Sequence, residues 1–261
     1  MGSSNREWSA FRTAMAALVL TAAAASPATA AYLPGTNGDD AIFGADDDNV
    51  DNPVIQPDGA VNQSLNDADA IDGRNGDDVL IGLLGSDTIR GGKGNDVIIG
   101  GTEQGSQPNS DVMFGDDGND VSLWRGGDGS DAFIGGRGRD AQVFGNIDRD
   151  GDNVPILSPA TGRHKKTGLP TADVTGQGGF CTLEDVRGLG LGYEFLVRFF
   201  VRATGNLAVT VRTAEVEQVF CTSQAGGAIT FADLTDPTPA FVEVSLDEVA
   251  ELNPLVGRII R

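Results

Sequence analysis

The stretch from Gly73 to Ile99 reads GRNGDDVLI GLLGSDTIR GGKGNDVII, three consecutive nonapeptides in one register. Further copies of the same unit begin at Gly35, Gly115, Gly126 and Gly135. The shared pattern is G-G-x-G-x-D-x-U-x, in which U is a large apolar residue. A unit repeated at a fixed spacing predicts that the copies stack and bury one shared core.

Each part of the unit has its own physical role. Glycine at positions 1, 2 and 4 permits positive φ and close backbone approach, so the first six residues form a turn whose carbonyl groups can face a cation. Aspartate at position 6 adds a carboxylate, and the last three residues alternate as a short strand. Position 8 then faces a core, and it is occupied by Ile42, Leu80, Ile89, Ile98, Met113 and Phe133. Two units make one coil, and the coils are predicted to stack into two parallel sheets.

The pattern resembles the haemolysin-type, or repeats-in-toxin (RTX), calcium-binding family over about residues 35–145. The resemblance implies a right-handed parallel β-roll in which Ca²⁺ lies between turns one full coil apart. Each ion would take two aspartate carboxylates and several backbone carbonyls, because Ca²⁺ favours six to eight oxygen ligands. Without Ca²⁺ the stacked carboxylates would repel one another, so we expect binding to be coupled to folding.

The candidate calcium ligands form two ladders, each made from every second repeat. The first ladder consists of Asp69, Asp87, Asp111 and Asp131, and the second of Asp78, Asp96, Asp120 and Asp140. The turn glycines assigned to the same sites are Gly76, Gly85, Gly92, Gly94, Gly118, Gly127, Gly129, Gly136 and Gly138. Ca²⁺ is the cofactor that this pattern implies, and the pattern assigns no catalytic residue.

Some segments depart from the pattern. Val50–Asn66 interrupts the repeats, residues 103–108 are inserted before Asp111, and Ser122 and Gln142 are polar at position 8. Both ends of the repeat region leave alternatives open. The repeats of Asp40 and Asn49 form either an N-terminal cap or further calcium turns. At the other end NIDRDGDN, residues 146–153, is either an additional Ca²⁺ site or a solvated acidic loop, because it lacks the closing Glu of an EF-hand.

The charge of the chain is concentrated in the repeats. The 261 residues include 38 acidic and 18 basic ones, a net charge of −20. Between Gly35 and Asn153 there are 24 Asp and one Glu against seven Lys and Arg, a net charge of −18. Short carboxylates beside tight turns suit a hard cation with oxygen ligands. The same excess argues against nucleic acid and anionic membranes as partners, because both attract clustered Lys and Arg.

The N-terminus has the features of a secretory signal peptide, residues 1–30. Arg6 and Arg12 precede the apolar segment Ala14–Ala25, and Ala28-Thr29-Ala30 fits a cleavage site. An uncleaved N-terminal anchor is the alternative. No other apolar stretch approaches the length of a membrane span, so the mature protein is predicted to be soluble and extracellular.

The C-terminal part differs in composition from the repeats. A β-roll at residues 31–153 is predicted to be followed by a linker at 154–179 and a small β-rich domain at 180–261. Cys181 and Cys221 are predicted to form a disulfide, as expected for an exported chain with two cysteines. The basic segment Arg163–Lys166, with the single histidine His164, reads as an exposed loop that docks on the acidic roll or is open to proteases. The fold class is therefore all-β.

One face of the predicted roll is apolar on its outside. Positions 7 and 9 of the second ladder's repeats are apolar throughout, among them Ile81, Ile99 and Leu123. An apolar sheet face of this size is rarely left open to water. We therefore predict that the C-terminal domain or a second copy of the chain covers it.

Three functions remain compatible with the sequence. The first is a secreted calcium-binding protein with a structural, scaffolding or adhesive role. The second is an extracellular hydrolase or lyase with the roll as an accessory calcium-stabilised module, although the chain has no G-x-S-x-G or H-E-x-x-H motif. The third is a binding module that recognises an extracellular glycan or protein through residues 180–261.

Overall fold

A computed structural model of the chain describes residues 32–44, 68–101, 110–151 and 154–261. The predicted signal peptide, the Asn49 repeat and the inserted segments at 50–66 and 103–108 lie outside the described residues. In the described part, no helix is long and apolar enough to cross a membrane.

The repeats form one short strand per unit. In chain order these strands are β1 (Tyr32–Pro34), β2 (Ala41–Phe43), β3 (Ala70–Asp72), β4 (Val79–Leu83), β5 (Thr88–Lys93), β6 (Val97–Gly101), β7 (Val112–Asp117), β8 (Val121–Trp124), β9 (Ala132–Arg137) and β10 (Ala141–Phe144). After them come β11 (Asn146–Ile147), β12 (Leu157–Ser158), β13 (Leu169–Pro170), β14 (Ala172–Asp173), β15 (Gly179–Asp185), β16 (Phe195–Val201), β17 (Leu207–Ala214), β18 (Gln218–Thr222), β19 (Ile229–Asp233), β20 (Val242–Val244), α1 (Leu246–Leu252) and α2 (Val256–Ile259).

Odd and even strands of the repeats build two separate parallel sheets. Sheet 1 has the order β1-β3-β5-β7-β9-β17-β16-β15, and sheet 2 has the order β2-β4-β6-β8-β10-β18-β19-β20. Equivalent positions of successive coils pair in register, as Val79 with Val97 and Val97 with Val121. The chain therefore changes sheet at every repeat, which confirms the predicted parallel β-roll and the all-β class.

The core lies between the two sheets and is filled by position 8. Ile71, Ile89, Met113 and Phe133 from sheet 1 meet Leu80 and Ile98 from sheet 2, all of them buried. Ser122 and Gln142 are also fully buried. The Gln142 Nε2 donates to the Ser122 carbonyl at 3.3 Å, so the two polar departures from the pattern lie side by side.

The C-terminal strands continue both sheets of the roll. Strand β17 pairs in parallel with β9, and β18 pairs in parallel with β10. Antiparallel hairpins then add β16 and β15 to sheet 1, and β19 and β20 to sheet 2. The division at residue 180 stays a prediction, and the two parts that it separates share their hydrogen-bonded sheets.

The predicted disulfide between Cys181 and Cys221 is present, with an S–S distance of 2.08 Å. Cys181 lies on β15 of sheet 1 and Cys221 on β18 of sheet 2, so the bond crosses the core. Close to it Trp124 packs between Phe144 and Phe199, with ring centroids 5.2 and 5.0 Å away. An aromatic cluster and a covalent link thus join the last coil to the C-terminal strands.

The apolar outer face of sheet 2 is covered, as predicted. Ile81 and Ile99 have no exposed surface and Leu123 is 2% exposed. The cover consists of apolar residues from the segment after β10 and from the C-terminal helices, namely Ile147, Val154, Leu169, Ala172, Val174, Val249, Leu255, Val256, Ile259 and Ile260. The segment predicted as a linker therefore contributes packed residues to this layer.

The basic segment Arg163–Lys166 differs in part from the prediction. Arg163 forms an ion pair with Asp77 at 2.7 Å, which confirms docking on the acidic roll. His164 was predicted to be exposed, and this is wrong, because it has no exposed surface and a backbone φ of 62°. It lies beside Glu251 and Arg258 of the C-terminal segment. Contacts so distant in sequence leave no local signal that would predict the burial of His164.

Candidate functional site

The turns of the second ladder stack so closely that only glycine fits at position 4. A Cβ built on Gly94 would lie 1.6 Å from the Gly76 carbonyl oxygen, and one on Gly118 would lie 1.4 Å from that of Gly94. At Gly138 the same distance, to the Gly118 oxygen, is 1.5 Å. Close approach therefore brings each turn against the equivalent turn of the next coil, which places the position-6 aspartates in line.

In the second ladder, each aspartate binds the backbone of the coil before it. The Asp78 Oδ1 accepts the Asp40 N–H at 2.7 Å. The Oδ1 atoms of Asp96, Asp120 and Asp140 accept the N–H of the preceding aspartate in the ladder at 2.8 Å each. These four predicted ligands have no exposed surface, so the structure brings all of them together in one buried row.

The aspartates of the first ladder, which lie in the turns of the alternate repeats, have the same geometry. The Asp87 Oδ1 accepts the Asp69 N–H at 2.7 Å, and the Asp111 Oδ1 accepts the Asp87 N–H at 2.8 Å. The Asp131 Oδ1 accepts the Asp111 N–H at 3.0 Å. All four side chains are buried. One carboxylate oxygen each of Asp87, Asp111 and Asp131 is thus used to hold the coils in register.

The second carboxylate oxygen is left without a hydrogen bond at several rungs. Among the described residues, the buried Oδ2 atoms of Asp78, Asp87, Asp96 and Asp120 have no hydrogen-bond partner. A buried unpaired carboxylate oxygen is costly, and it is found where an ion or another ligand completes the site.

Each of these unpaired oxygens faces a small cradle at the position-1 glycine of its own repeat. A Cβ on Gly91 would lie 2.3 Å from the Asp96 Oδ2 and 2.8 Å from the Gly115 carbonyl oxygen of the next coil. A Cβ on Gly82 would lie 2.2 Å both from the Asp87 Oδ2 and from the Gly100 oxygen. The same pair of contacts is found at Gly73 and Gly115. A carboxylate and a carbonyl oxygen therefore approach one point at each cradle.

The position-1 glycines were absent from the predicted ligand set, which named glycines at positions 2 and 4. The sequence does carry a signal for them, since glycine is present at position 1 of every well-matched repeat. Of the predicted turn glycines, eight have positive φ, namely Gly76, Gly85, Gly92, Gly94, Gly127, Gly129, Gly136 and Gly138. These shape the turns, and the position-1 glycines allow the carboxylate of their own repeat and a carbonyl oxygen of the next coil to approach their Cα closely.

Burial makes the ladder carboxylates hard to ionise on their own. Desolvation, reinforced by the neighbouring carboxylates, raises the pKa of Asp78 to about 7 and that of Asp96 to about 8. The pKa of Asp120 is raised to about 9 by burial and by the charges of Asp96 and Asp140. Burial and Asp111 likewise raise the pKa of Asp87. A cation between successive aspartates of a ladder would offset both the burial and the repulsion between carboxylates that raise these pKa values.

The two ends of the second ladder are closed in different ways. At the N-terminal end the Asp40 Oδ2 accepts the backbone N–H of Thr36 at 2.6 Å and its hydroxyl at 2.9 Å. This oxygen is hydrogen-bonded within its own turn, unlike the Oδ2 atoms of Asp78, Asp96 and Asp120. At the C-terminal end the Asp140 N–H donates to the Glu217 Oε2 at 2.7 Å. Glu217 thus stands where the next aspartate would be, and its pKa is raised by burial.

Sequence reasoning missed Glu217 because the segment before it lacks the glycine pattern. In the repeats, position 1 and position 6 are five residues apart, as Gly135 and Asp140 are. In the last coil Glu215 takes the place of the position-1 glycine, since its carbonyl oxygen lies 2.2 Å from the Cβ position of Gly135. Only Val216 separates it from Glu217, and the longer side chain of glutamate compensates for the shorter turn.

The last turn of the first ladder is built differently from the others. Asp128 forms a buried ion pair with Arg149 at 3.3 Å and accepts the Arg125 N–H at 2.8 Å. A Cβ on Gly126 would meet no atom within 4 Å, so this position-1 glycine has no cradle. In the acidic segment 146–153, Asp148 pairs with Arg261 at 2.5 Å and Asp150 accepts the Val154 N–H at 3.0 Å.

The carboxylates lie in single file rather than in clusters. Within residues 32–44, 68–101, 110–151 and 154–261, no three His, Cys, Asp or Glu side chains gather as a metal-binding group. A cation held here would therefore take most of its oxygens from the backbone of the turns. That ligand set suits Ca²⁺, which accepts carbonyl oxygens, better than metals that require nitrogen or sulfur.

Comparison with known families agrees with this geometry. The family model of the RTX calcium-binding nonapeptide repeat matches four copies, at residues 66–103 and 125–141. No curated protein matches the chain. The matched residues contain six of the predicted ligands, namely Asp69, Asp78, Asp87, Asp96, Asp131 and Asp140. In the structure Asp111 and Asp120 belong to the same two ladders. The roll of this chain is thus a stack of RTX calcium-binding repeats.

Proposed function

We propose that this is a secreted protein whose roll binds Ca²⁺ between stacked aspartate turns and folds as the ions bind. The observation that carries the proposal is the set of buried, unpaired Oδ2 atoms of Asp78, Asp87, Asp96 and Asp120. Each of them lies beside a backbone carbonyl oxygen of the adjacent coil. Carboxylate and carbonyl oxygens in this arrangement are the ligands that Ca²⁺ prefers.

The residues that would hold the ions belong to both ladders. They are Asp69, Asp78, Asp87, Asp96, Asp111, Asp120, Asp131 and Asp140, together with the carbonyl groups of the turn glycines. The Oδ1 atoms that accept an N–H from the preceding coil keep the coils in register. The Oδ2 atoms of Asp78, Asp87, Asp96 and Asp120 are the oxygens available to an ion. When bound, Ca²⁺ would supply the positive charge that the repeat region, at a net −18, lacks.

Coupling of binding to folding follows from these charges. In the ion-free roll, the ladder carboxylates either keep a proton or repel their neighbours, as the raised pKa values of Asp96 and Asp120 indicate. In the unfolded chain the same carboxylates are hydrated and far apart. Ca²⁺ that binds only the stacked form therefore stabilises the folded state.

An extracellular location and a structural, scaffolding or adhesive role complete the proposal. The Cys181–Cys221 disulfide suits an oxidising compartment outside the cytosol. Concentrations of Ca²⁺ outside cells suit the weaker class of protein sites. If residues 180–261 bind a glycan or protein partner, the roll would serve as a rigid spacer next to that binding region.

The proposal is tested by far-UV circular dichroism of residues 31–261 during a Ca²⁺ titration. We expect the β-signal to rise with Ca²⁺, to fall after chelation, and to respond little to Mg²⁺. A β-signal that chelation leaves unchanged would contradict the coupling.

A matched pair of variants locates the ions. Asp96→Asn keeps an oxygen to accept the Asp78 N–H but removes the charge, so it should raise the Ca²⁺ concentration at the folding midpoint several-fold. Asp247→Asn, an exposed change outside the ladders, should leave the midpoint where it is. Equal midpoints for the two variants would remove Asp96 from the proposed ligand set.

A further inference from the structure

A cleft of about 380 Å³ lies between the turns of the second ladder and the C-terminal helices. Its walls include Asn119 and Arg139 from the roll, His164 from the docked loop, and Glu251 and Arg258 from the C-terminal segment. Asn119 and Arg139 occupy position 5 of their repeats. Position 5 lies outside the row of position-6 carboxylates, so the cleft is separate from the proposed calcium sites.

The cleft offers arginine side chains with unused donors. Arg139 is exposed, and among the described residues its side chain makes no hydrogen bond or ion pair. Arg258 uses one amino group to hold the Thr161 and Arg163 carbonyls at 2.9 and 2.6 Å, and its other N–H groups have no partner in the part of the chain that the structure describes. A guanidinium fork of this kind matches the two oxygens of a carboxylate or phosphate.

His164 supplies a second, independent sign of a ligand. Its side chain has no exposed surface, it lines the cleft, and neither ring nitrogen makes a hydrogen bond within the described residues. The backbone of Asn95 faces the ring without completing such a bond. A buried imidazole with both nitrogens unpaired is unfavourable, and a bound molecule with oxygen atoms would satisfy it.

Acceptors in the cleft are few. Glu251 is the one carboxylate among the lining residues, against the guanidinium groups of Arg139 and Arg258, while that of Arg163 is paired with Asp77. The Asn253 Oδ1 is already engaged, because it accepts the N–H groups of Leu255 and Val256, and the Nδ2 donates to the Gln218 Oε1 at 2.8 Å. In a chain with a net charge of −20, this is a local excess of donors and positive charge.

We propose that the cleft binds a small organic anion, a carboxylate or phosphate carried on a molecule about the size of a monosaccharide. The charged group would bind the Arg139 and Arg258 forks, and its other oxygens would reach the His164 ring and the Asn119 amide. A volume of about 380 Å³ falls within the range of small-molecule sites. This function adds a ligand other than Ca²⁺.

The experiment uses His164 as the reporter, since it is the single histidine of the chain. Protein labelled with ¹⁵N and ¹³C at histidine is kept in saturating Ca²⁺ and titrated with glucuronate, glucose 6-phosphate or glucose. We expect saturable shifts of the imidazole signals with the two anionic sugars and none with glucose. The stronger of the two anions identifies the charged group. Glucose binding as well as the anions, or no saturable shift with either anion, would overturn the proposal.

Paired variants test where the anion binds. Arg139→Gln should weaken the binding by about tenfold, the loss expected when one charge-assisted hydrogen-bond fork is removed. Arg137→Gln removes the same charge two residues away, where the side chain pairs with Asp117 outside the cleft, and should leave the affinity unchanged. Equal weakening by both variants would show that the sugars respond to overall charge, and would overturn the assignment of the cleft.

Discussion

At the scale of single residues, position 1 and position 6 act together. At Asp78, Asp87, Asp96 and Asp120 one carboxylate oxygen holds the register and the other lies against the position-1 glycine, whose missing Cβ permits this close approach. The repeat of Gly126 shows that the two features separate, since this position-1 glycine has no atom near its Cβ position. This contrast provides a matched pair of substitutions.

Gly91→Ala should disrupt a calcium turn and Gly126→Ala should not. The new methyl group at residue 91 would lie 2.3 Å from the Asp96 Oδ2 and 2.8 Å from a backbone oxygen, whereas at residue 126 it meets nothing within 4 Å. We expect Gly91→Ala to lower the free energy of unfolding in Ca²⁺ by about 2 kcal/mol, and Gly126→Ala to change it little. Urea unfolding of both variants measures the difference. Similar losses would argue against a cradle at Gly91.

Raised pKa values predict how the ion-free roll responds to pH. The folded pKa values of Asp78, Asp96 and Asp120 are about 7, 8 and 9, against an ordinary value of 3.8. Between the ordinary pKa and the folded pKa values these aspartates bind more protons in the folded state than in the unfolded state. The stability of the ion-free roll is therefore highest near pH 4 and falls as the pH rises through 7 to 9.

Acidification should therefore restore structure in the absence of Ca²⁺ and weaken Ca²⁺ binding in its presence. We expect chelated protein to gain β-signal when it is brought from about pH 8 to about pH 5, because the ladder carboxylates then carry protons. In Ca²⁺ the folding midpoint should move to higher ion concentration at the lower pH, since protons compete for the same oxygens. A chelated protein that loses β-signal on acidification would contradict the raised pKa values.

At the scale of elements, the short turn from β17 to β18 decides how the second ladder ends. Glu217 accepts the Asp140 N–H as each ladder aspartate accepts the N–H before it. Glu217→Ala should leave this buried N–H unpaired and reduce the free energy of unfolding by about 1–2 kcal/mol. Glu243→Ala, an exposed change on β20, serves as the control and should be near neutral. Thermal unfolding in Ca²⁺ compares the two, and equal melting temperatures would mean that Glu217 does not cap the ladder.

Another element-scale feature is the disulfide between the two sheets. It closes a loop of 40 residues, for which the chain-entropy relation gives about 4 kcal/mol. Replacing Cys181 and Cys221 by alanine together should lower the free energy of unfolding by about this amount in Ca²⁺. Urea titrations of the variant, and of the unaltered chain under reducing conditions, should agree with each other. Disagreement between the two would show that cavity formation rather than loop closure dominates.

The sequence predicts those parts of the fold that the nonapeptide dictates. The aspartate rows, the position-8 core and the buried outer face of sheet 2 all follow from a period that places one residue type at one position. The continuation of both sheets by β17 and β18 could not be predicted, because those strands have no turn motif and acquire their register from β9 and β10. Glu217 and the buried His164 were missed for the same reason, since both depend on tertiary contacts distant in sequence.

At the scale of the whole molecule, the roll and the C-terminal strands share both sheets, so we expect them to unfold as one cooperative unit. Trp124 is the single tryptophan of residues 31–261, and it packs on Phe199 of β16. Removal of Ca²⁺ should therefore change its fluorescence and the far-UV signal together, at one chelator concentration. Two separated transitions would show instead that the C-terminal strands stay folded without the roll.

The hydrogen bonds of the aspartate ladders all run in one direction, and this makes the two ends of the row different. Every coil donates its backbone N–H to a carboxylate of the coil that follows it in sequence, and the last of these acceptors, Glu217, belongs to the disulfide-linked C-terminal strands. The C-terminal strands thus provide the last acceptor of the second ladder. In a chain synthesised from its N-terminus this acceptor is the last part of the ladder to emerge, so the Asp140 N–H has no carboxylate partner until the C-terminal strands are in place.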